Sequence, residues 1–169
     1  MQIGNSDLQQ SWRVERNNSA PNTIEFSIMD GTTFSTNELI SSNFPDGEWI
    51  HVTIKWDGSE QYIYKNGTLD SQRTFVGTPT HHPGGTIRIG SRQVDAPYAY
   101  NGDIGEFRLW DRSLTAQQIF QDYNATKSKY INEAPDTAPK NGPGISYNGL
   151  VLNYDFGNRA TYDLSLIHI

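Results

Sequence analysis

The sequence predicts an all-β protein with one short helix, and three observations carry that prediction. Aromatic residues make up 12% of the chain, while Asn, Ser, Thr, Gly and Asp crowd between short apolar runs, the balance expected of brief strands joined by many turns. From Trp49 to Trp56 the residues alternate at period two: Ile50, Val52, Ile54 and Trp56 share one side and Trp49, His51, Thr53 and Lys55 the other, which makes the first set a core face. Asn66-Gly67 then supplies the two adjacent positive-φ residues that a type I′ hairpin demands.

The other elements follow in order. Ser11 to Val14 and Thr23 to Met29 are short alternating runs separated by Asn17, Asn18, Pro21 and Asn22, a pair of strands joined by a turn. Asp30-Gly31 is a second turn, Phe34 to Ile40 a weaker extended stretch, and Pro45-Asp46-Gly47 a loop. Asp57-Gly58 closes the Trp49 strand, Gln61 to Lys65 forms the next, and Thr68 to Phe75 returns beside it. Beyond a link holding His81, His82, Pro83, Gly84 and Gly85, strands are predicted at Thr86 to Ile89 and Asp103 to Trp110. Thr115, with Gln118 three residues on, has the form of a capping box for a helix ending near Asn124. Lys127 to Tyr147, with Pro135, Pro139, Gly142, Pro143 and Gly144, has the composition of a linker, and Gly149 to Phe156 is again strand-like.

Size and charge bound the function classes. A chain of 169 residues holds one core and is too short for two complete sandwiches. A net charge of -6 with no run of Lys or Arg argues against nucleic acid as a partner, because such binding draws its affinity from clustered cations. There is no Cys, so neither disulfides nor thiolate metal sites arise. No run approaches the roughly 18 apolar residues that span a bilayer, and Met1 is not followed by a basic-then-apolar leader.

Three stretches together resemble the LamG-like, or concanavalin A-like, superfamily, which includes the pentraxins. They are Asp46-Gly47-Glu48-Trp49-Ile50-His51-Val52 followed by Trp56-Asp57-Gly58; Ile63-Tyr64-Lys65-Asn66-Gly67; and Gly102 through Thr115, which contains Gly-Asp-Ile-Gly-Glu-Phe-Arg-Leu-Trp. The resemblance implies a two-sheet antiparallel jelly-roll sandwich with the helix following its final core strand, and it speaks for fold more than for function. Trp56, Tyr64, Phe107 and Trp110 are then expected to be core or rim packing rather than sugar platforms. The resemblance also implies that amino-terminal strands are missing and that Gly149 to Asn158 is the opening strand of a next module, or an edge strand folded back beside Gly105 to Trp110. The expected organisation is an incomplete domain at 1–126, a linker at 127–148 and that strand at 149–163. Leu164 to Ile169 equals the translation of a sequencing-library adaptor and is set aside as an artefact, so the chain is expected to be a fragment. Segments in Thr115 to Tyr130 and Gly149 to Leu152 are similar to LamG-like repeats of marine phage virion or tail proteins, so the expected location is extracellular or virion-associated.

Chemistry is weighed against blander readings. A sandwich hydrolase needs two carboxylates about 5 to 10 Å apart, but the Glu-x-Asp-x-x-Glu strand of such enzymes is absent, and Asp103 and Glu106 would point to opposite faces of a strand. No catalytic residue is therefore assigned, and the chain is not expected to be an enzyme. His81-His82 lacks a third ligand for zinc. Calcium is the better metal hypothesis by family resemblance. The loop preceding the Gly-Asp-Ile strand keeps only Gln93 and Asp95 as candidate ligands, short of the acidic cluster of pentraxins. Arg92, Asp95, Tyr98, Tyr100 and Asn101 offer aromatic faces and planar polar groups suited to a sugar, against the alternative that the tyrosines merely pack on the sheet. Sequons occur at Asn17, Asn66 and Asn124, as chance allows in an Asn- and Thr-rich chain. The expected function is a carbohydrate-binding or adhesion module whose partners are a glycan and neighbouring modules. A structural spacer is the alternative, and a fragment of a glycoside hydrolase the third reading.

Overall fold

In a computed structural model, the described residues are 2–3, 11–17, 19–31, 37–80, 87–91, 99–131 and 148–155. The strands are β1 (Gln2–Ile3), β2 (Trp12–Arg16), β3 (Ile24–Ile28), β4 (Glu38–Ile40), β5 (Val52–Trp56), β6 (Glu60–Lys65), β7 (Thr68–Thr74), β8 (Ile87–Arg88), β9 (Glu106–Trp110) and β10 (Leu150–Asp155), with helix α1 at Ala116–Thr126. All strand pairs are antiparallel. They form a five-stranded sheet ordered β4-β3-β2-β1-β8, a three-stranded sheet β5-β6-β7, and the ladder β10-β9.

Register places the apolar residues where alternation requires. Val14 lies opposite Phe26, and Phe26 opposite Leu39, so three strands present one apolar row. On the facing sheet Ile54 lies opposite Ile63. Phe26, Ile28, Leu39 and Ile63 form the buried core between the two sheets, with Trp12, Val14, Val52, Ile54 and Phe75 packed against them. Residues of one strand facing alternate ways thus join two layers in the manner of a β-sandwich. A polar bolt crosses this core: fully buried Gln61 of β6 donates from Nε2 to the carbonyl of Asn37, 3.1 Å away, just before β4.

The opposite face of β6 is built differently. Tyr64 is buried with Leu114 and Ile119, and Tyr62 and Trp110 pack against that cluster. Helix α1 covers this side. Its start is fixed by the predicted capping box: Gln118 donates its amide to Thr115 Oγ1, and its side chain accepts from the Thr115 amide. Asn66 and Gly67 both have positive φ (50° and 78°), and the rings of Phe120 and Tyr123 lie against Gly67, where a Cβ would crowd both.

Some details refine the sequence reading, among them later starts for two strands, at Val52 rather than Trp49 and at Glu106 rather than Asp103. The helix does not stop near Asn124 but runs to Thr126, whose hydroxyl donates to the Asp122 carbonyl, and it continues as a 3₁₀ turn at Lys127–Lys129. The segment read as a linker from residue 127 therefore begins with ordered backbone. Trp56, on the core side by alternation and expected as core or rim packing, takes the rim: it is 38% exposed and meets Phe75 edge-on, where β5 ends at the Asp57-Gly58 turn. Gln2–Ile3 forms an unanticipated two-residue strand between β2 and β8. Among the described residues no helix is long and apolar enough to cross a membrane.

Candidate functional site

A cleft of about 1070 Å³ opens between the five-stranded sheet, β5 and the segment from Tyr100 to β9. Its walls combine apolar sheet residues such as Val14 and Ile54 with Trp49, Tyr100, Asn101 and Asp103. Tyr100 is held from two directions. Its amide donates to the Gly90 carbonyl at 2.7 Å, and its ring lies against Gly102, where a Cβ would come within 2.8 Å of it. The ring nevertheless leaves Tyr100 49% exposed. Ser91 and Ala99, on either side of the loop that the sequence singled out, form an antiparallel bridge that makes a pinned neck. Asn101 and Asp103 are exposed just beyond that neck. Arg92, Gln93, Asp95 and Tyr98 lie outside the described residues, as do His81 and His82.

On another wall Trp49 meets Tyr130 with ring centroids 4.8 Å apart, and the Tyr130 ring lies across Gly105, where a side chain would collide with it. Gly105 thus lets a ring from beyond the helix reach the sheet. Beside it lies a charged cluster that sequence reasoning did not assemble. Arg108 donates to both oxygens of buried Asp122 at 3.2 Å, and it also binds Glu106, which Lys129 reaches from the 3₁₀ turn. His51 Nε2 lies 3.3 Å from Asp122 Oδ2, and its ring packs on Tyr123. Only the Glu106-x-Arg108 spacing on one strand face hinted at this. Asp122 and Lys129 arrive from the helix and the turn, which no linear pattern links to β9.

The arrangement neutralises its carboxylates. Glu106 and Asp122 share one guanidinium, and Asp103 stands apart in the loop before β9. Glu25, a second buried acid, accepts from Arg13, Asn17 and Ser27. Asn17, one of the three sequon positions, is itself buried by that bond. Burial pushes the neighbouring Glu15 carboxyl above its usual range, against the pull of Arg13. Among the described residues no three His, Asp or Glu side chains converge as a metal site.

This sandwich, its hairpin at Asn66-Gly67 and its helix after β9 agree with what the chain matches. Residues 2–120 match Laminin_G_3, the concanavalin A-like lectin/glucanases superfamily, and the chain belongs to that family. It is 29% identical to mouse neuronal pentraxin-2 over 99 residues, covering 53% of this chain and 23% of that protein. It is 31% identical to the mouse neuronal pentraxin receptor over 99 residues, covering 53% and 20%. The chain therefore spans about a fifth to a quarter of the length of these relatives. A solved S-layer domain-containing protein from Clostridium thermocellum is 26% identical, with 68% of this chain and 56% of that chain covered and a TM-score of 0.40. The family's own description spans lectins and glucanases, so binding and hydrolysis must be told apart by the site.

Proposed function

We propose that the domain is a non-catalytic recognition module that binds glycans at the cleft rim, outside the cell or on a virion, in a chain of similar modules. The observation that carries this reading is Tyr100: a half-exposed ring against the Gly102 backbone, on a residue whose amide is held by the Gly90 carbonyl, with exposed Asn101 next in the chain. A rigid aromatic face costs little entropy on stacking against a sugar, and an adjacent planar amide gives the hydroxyls a directed partner. The pairing of Glu106 and Asp122 with Arg108 supports the non-catalytic side, because a hydrolase needs one acid free to give a proton and one free to attack or to activate water. Tandem modules would convert weak single contacts into avidity.

A glycan array probed with the full chain, with and without calcium, tests the reading. Binding to one glycan class that falls at least tenfold in Tyr100→Ala, with an unchanged melting curve, is the expected result. Uniform silence in both conditions would favour the spacer. Calcium held by Gln93 and Asp95 is a separate proposal, and a rise in melting temperature at millimolar calcium that Asp95→Asn abolishes is its expected signature.

A further inference from the structure

We propose that β10 is an exchangeable strand: the place it occupies beside β9 is also filled by Leu150–Asp155 of a second copy of this chain, so that copies link through β9. This does not depend on what the rim binds.

The contacts of β10 make it transferable. Its ladder pairs Leu150 with Trp110, Leu152 with Leu109, Asn153 with Arg108, Tyr154 with Phe107 and Asp155 with Glu106. The bonds flanking the ladder go to the same short region: the Asp111 amide donates to the Gly149 carbonyl at 2.8 Å, Arg112 Nε to the Asn148 carbonyl at 2.7 Å, and Arg108 Nε to Asn153 Oδ1 at 3.2 Å. Gly149, at φ +74°, brings its backbone so close to Asp111 and Arg112 that a Cβ would collide with both. Val151 falls at the bulge between Leu150 and Leu152 and is 56% exposed. The strand is thus held by main-chain hydrogen bonds and by side chains of residues 106–112, and a strand arriving from another copy recovers that same set.

Among the described residues, what favours the strand's own β9 is its covalent connection. Sixteen residues, 132–147, join the 3₁₀ region to Asn148, and at full extension they reach roughly 55 Å. A tether of that length gives an effective concentration on the order of millimolar. At protein concentrations near that value the second copy competes on equal terms.

The chain has no Cys, which makes the test clean. A Leu109→Cys chain and a Leu152→Cys chain, facing positions of the ladder, are unfolded together, refolded together and oxidised. A disulfide-linked heterodimer is expected, rising at least tenfold in yield between about 10 μM and about 1 mM, with each variant alone giving far less. The double variant, Leu109→Cys with Leu152→Cys in one chain, is expected to close internally at low concentration, which reports the register and the fold. Internal closure without any heterodimer at 1 mM overturns the proposal. So does failure of the double variant to close, and so does a homodimer from either variant alone in equal yield.

Discussion

The two faces of the β5-β6-β7 sheet are both covered, yet by different means. Toward the five-stranded sheet, Ile63 and Val52 meet Phe26 and Leu39 in an aliphatic and aromatic core crossed by one amide. Toward α1, Tyr64 packs with Leu114 and Ile119 beside an ion cluster that ties β9 to the helix. The first face draws its stability from area removed from water. The second is held at points, by a cap and by Arg108, so its integrity depends on a few polar groups that must all be present.

The largest expected effect is on the first face. Ile63→Ala leaves a cavity in a fully buried site and should cost about 4 kcal/mol by chemical denaturation, whereas a loss under 1 kcal/mol would mean the two sheets are not packed as described. On the second face, Asp122→Ala strips Arg108 and His51 of a shared partner and should cost about 3 kcal/mol. Joint replacement, Asp122→Leu with Arg108→Met, leaves the buried Glu106 carboxylate without its guanidinium and should not restore that loss, and recovery to the parent's stability would make the helix face an area-driven core like its counterpart. Thr115→Ala removes the hydroxyl that accepts from Gln118 and should cost about 1 kcal/mol, read out as earlier melting.

The smallest effect is pH-dependent. Burial raises the Asp70 carboxyl, but hydrogen bonds from the Ser42 hydroxyl and amide, from Ser71 and from Lys65 outweigh it and hold the group down to about 2. Its folded value therefore lies below the unfolded one of about 3.9, so its contribution is complete above that value and is lost as pH falls toward 2. Stability of Asp70→Asn should accordingly fall less steeply between pH 4 and 2 than that of the parent. Parallel curves would remove Asp70 from the bonds that fasten the loop at Ser42 to the β6-β7 hairpin.

The first face was legible in the sequence because alternation reports burial directly: Val52 and Ile54 mark the core side of β5, and Asn66-Gly67 fixes the register of its neighbours. The capping box at Thr115 was legible for the same reason, since its partners lie three residues apart. The charged cluster was not. His51, Arg108, Asp122 and Lys129 meet only after the helix has folded across the sheet. Of the rim residues proposed from sequence, Tyr100 and Asn101 are exposed, and the anchoring of Tyr100 through Gly90 and Gly102 depends on backbone geometry that residue types do not encode.

Gln61 carries one more consequence. Aliphatic surfaces grip almost equally well after sliding, and a shift of two residues, roughly 7 Å along a strand, would offer Ile63 another greasy neighbour at little penalty. The same shift would pull the Gln61 amide from the Asn37 carbonyl and strand a donor in a dry interior. A single carboxamide therefore acts as a detent, choosing one alignment of the layers among several that oiliness alone would tolerate.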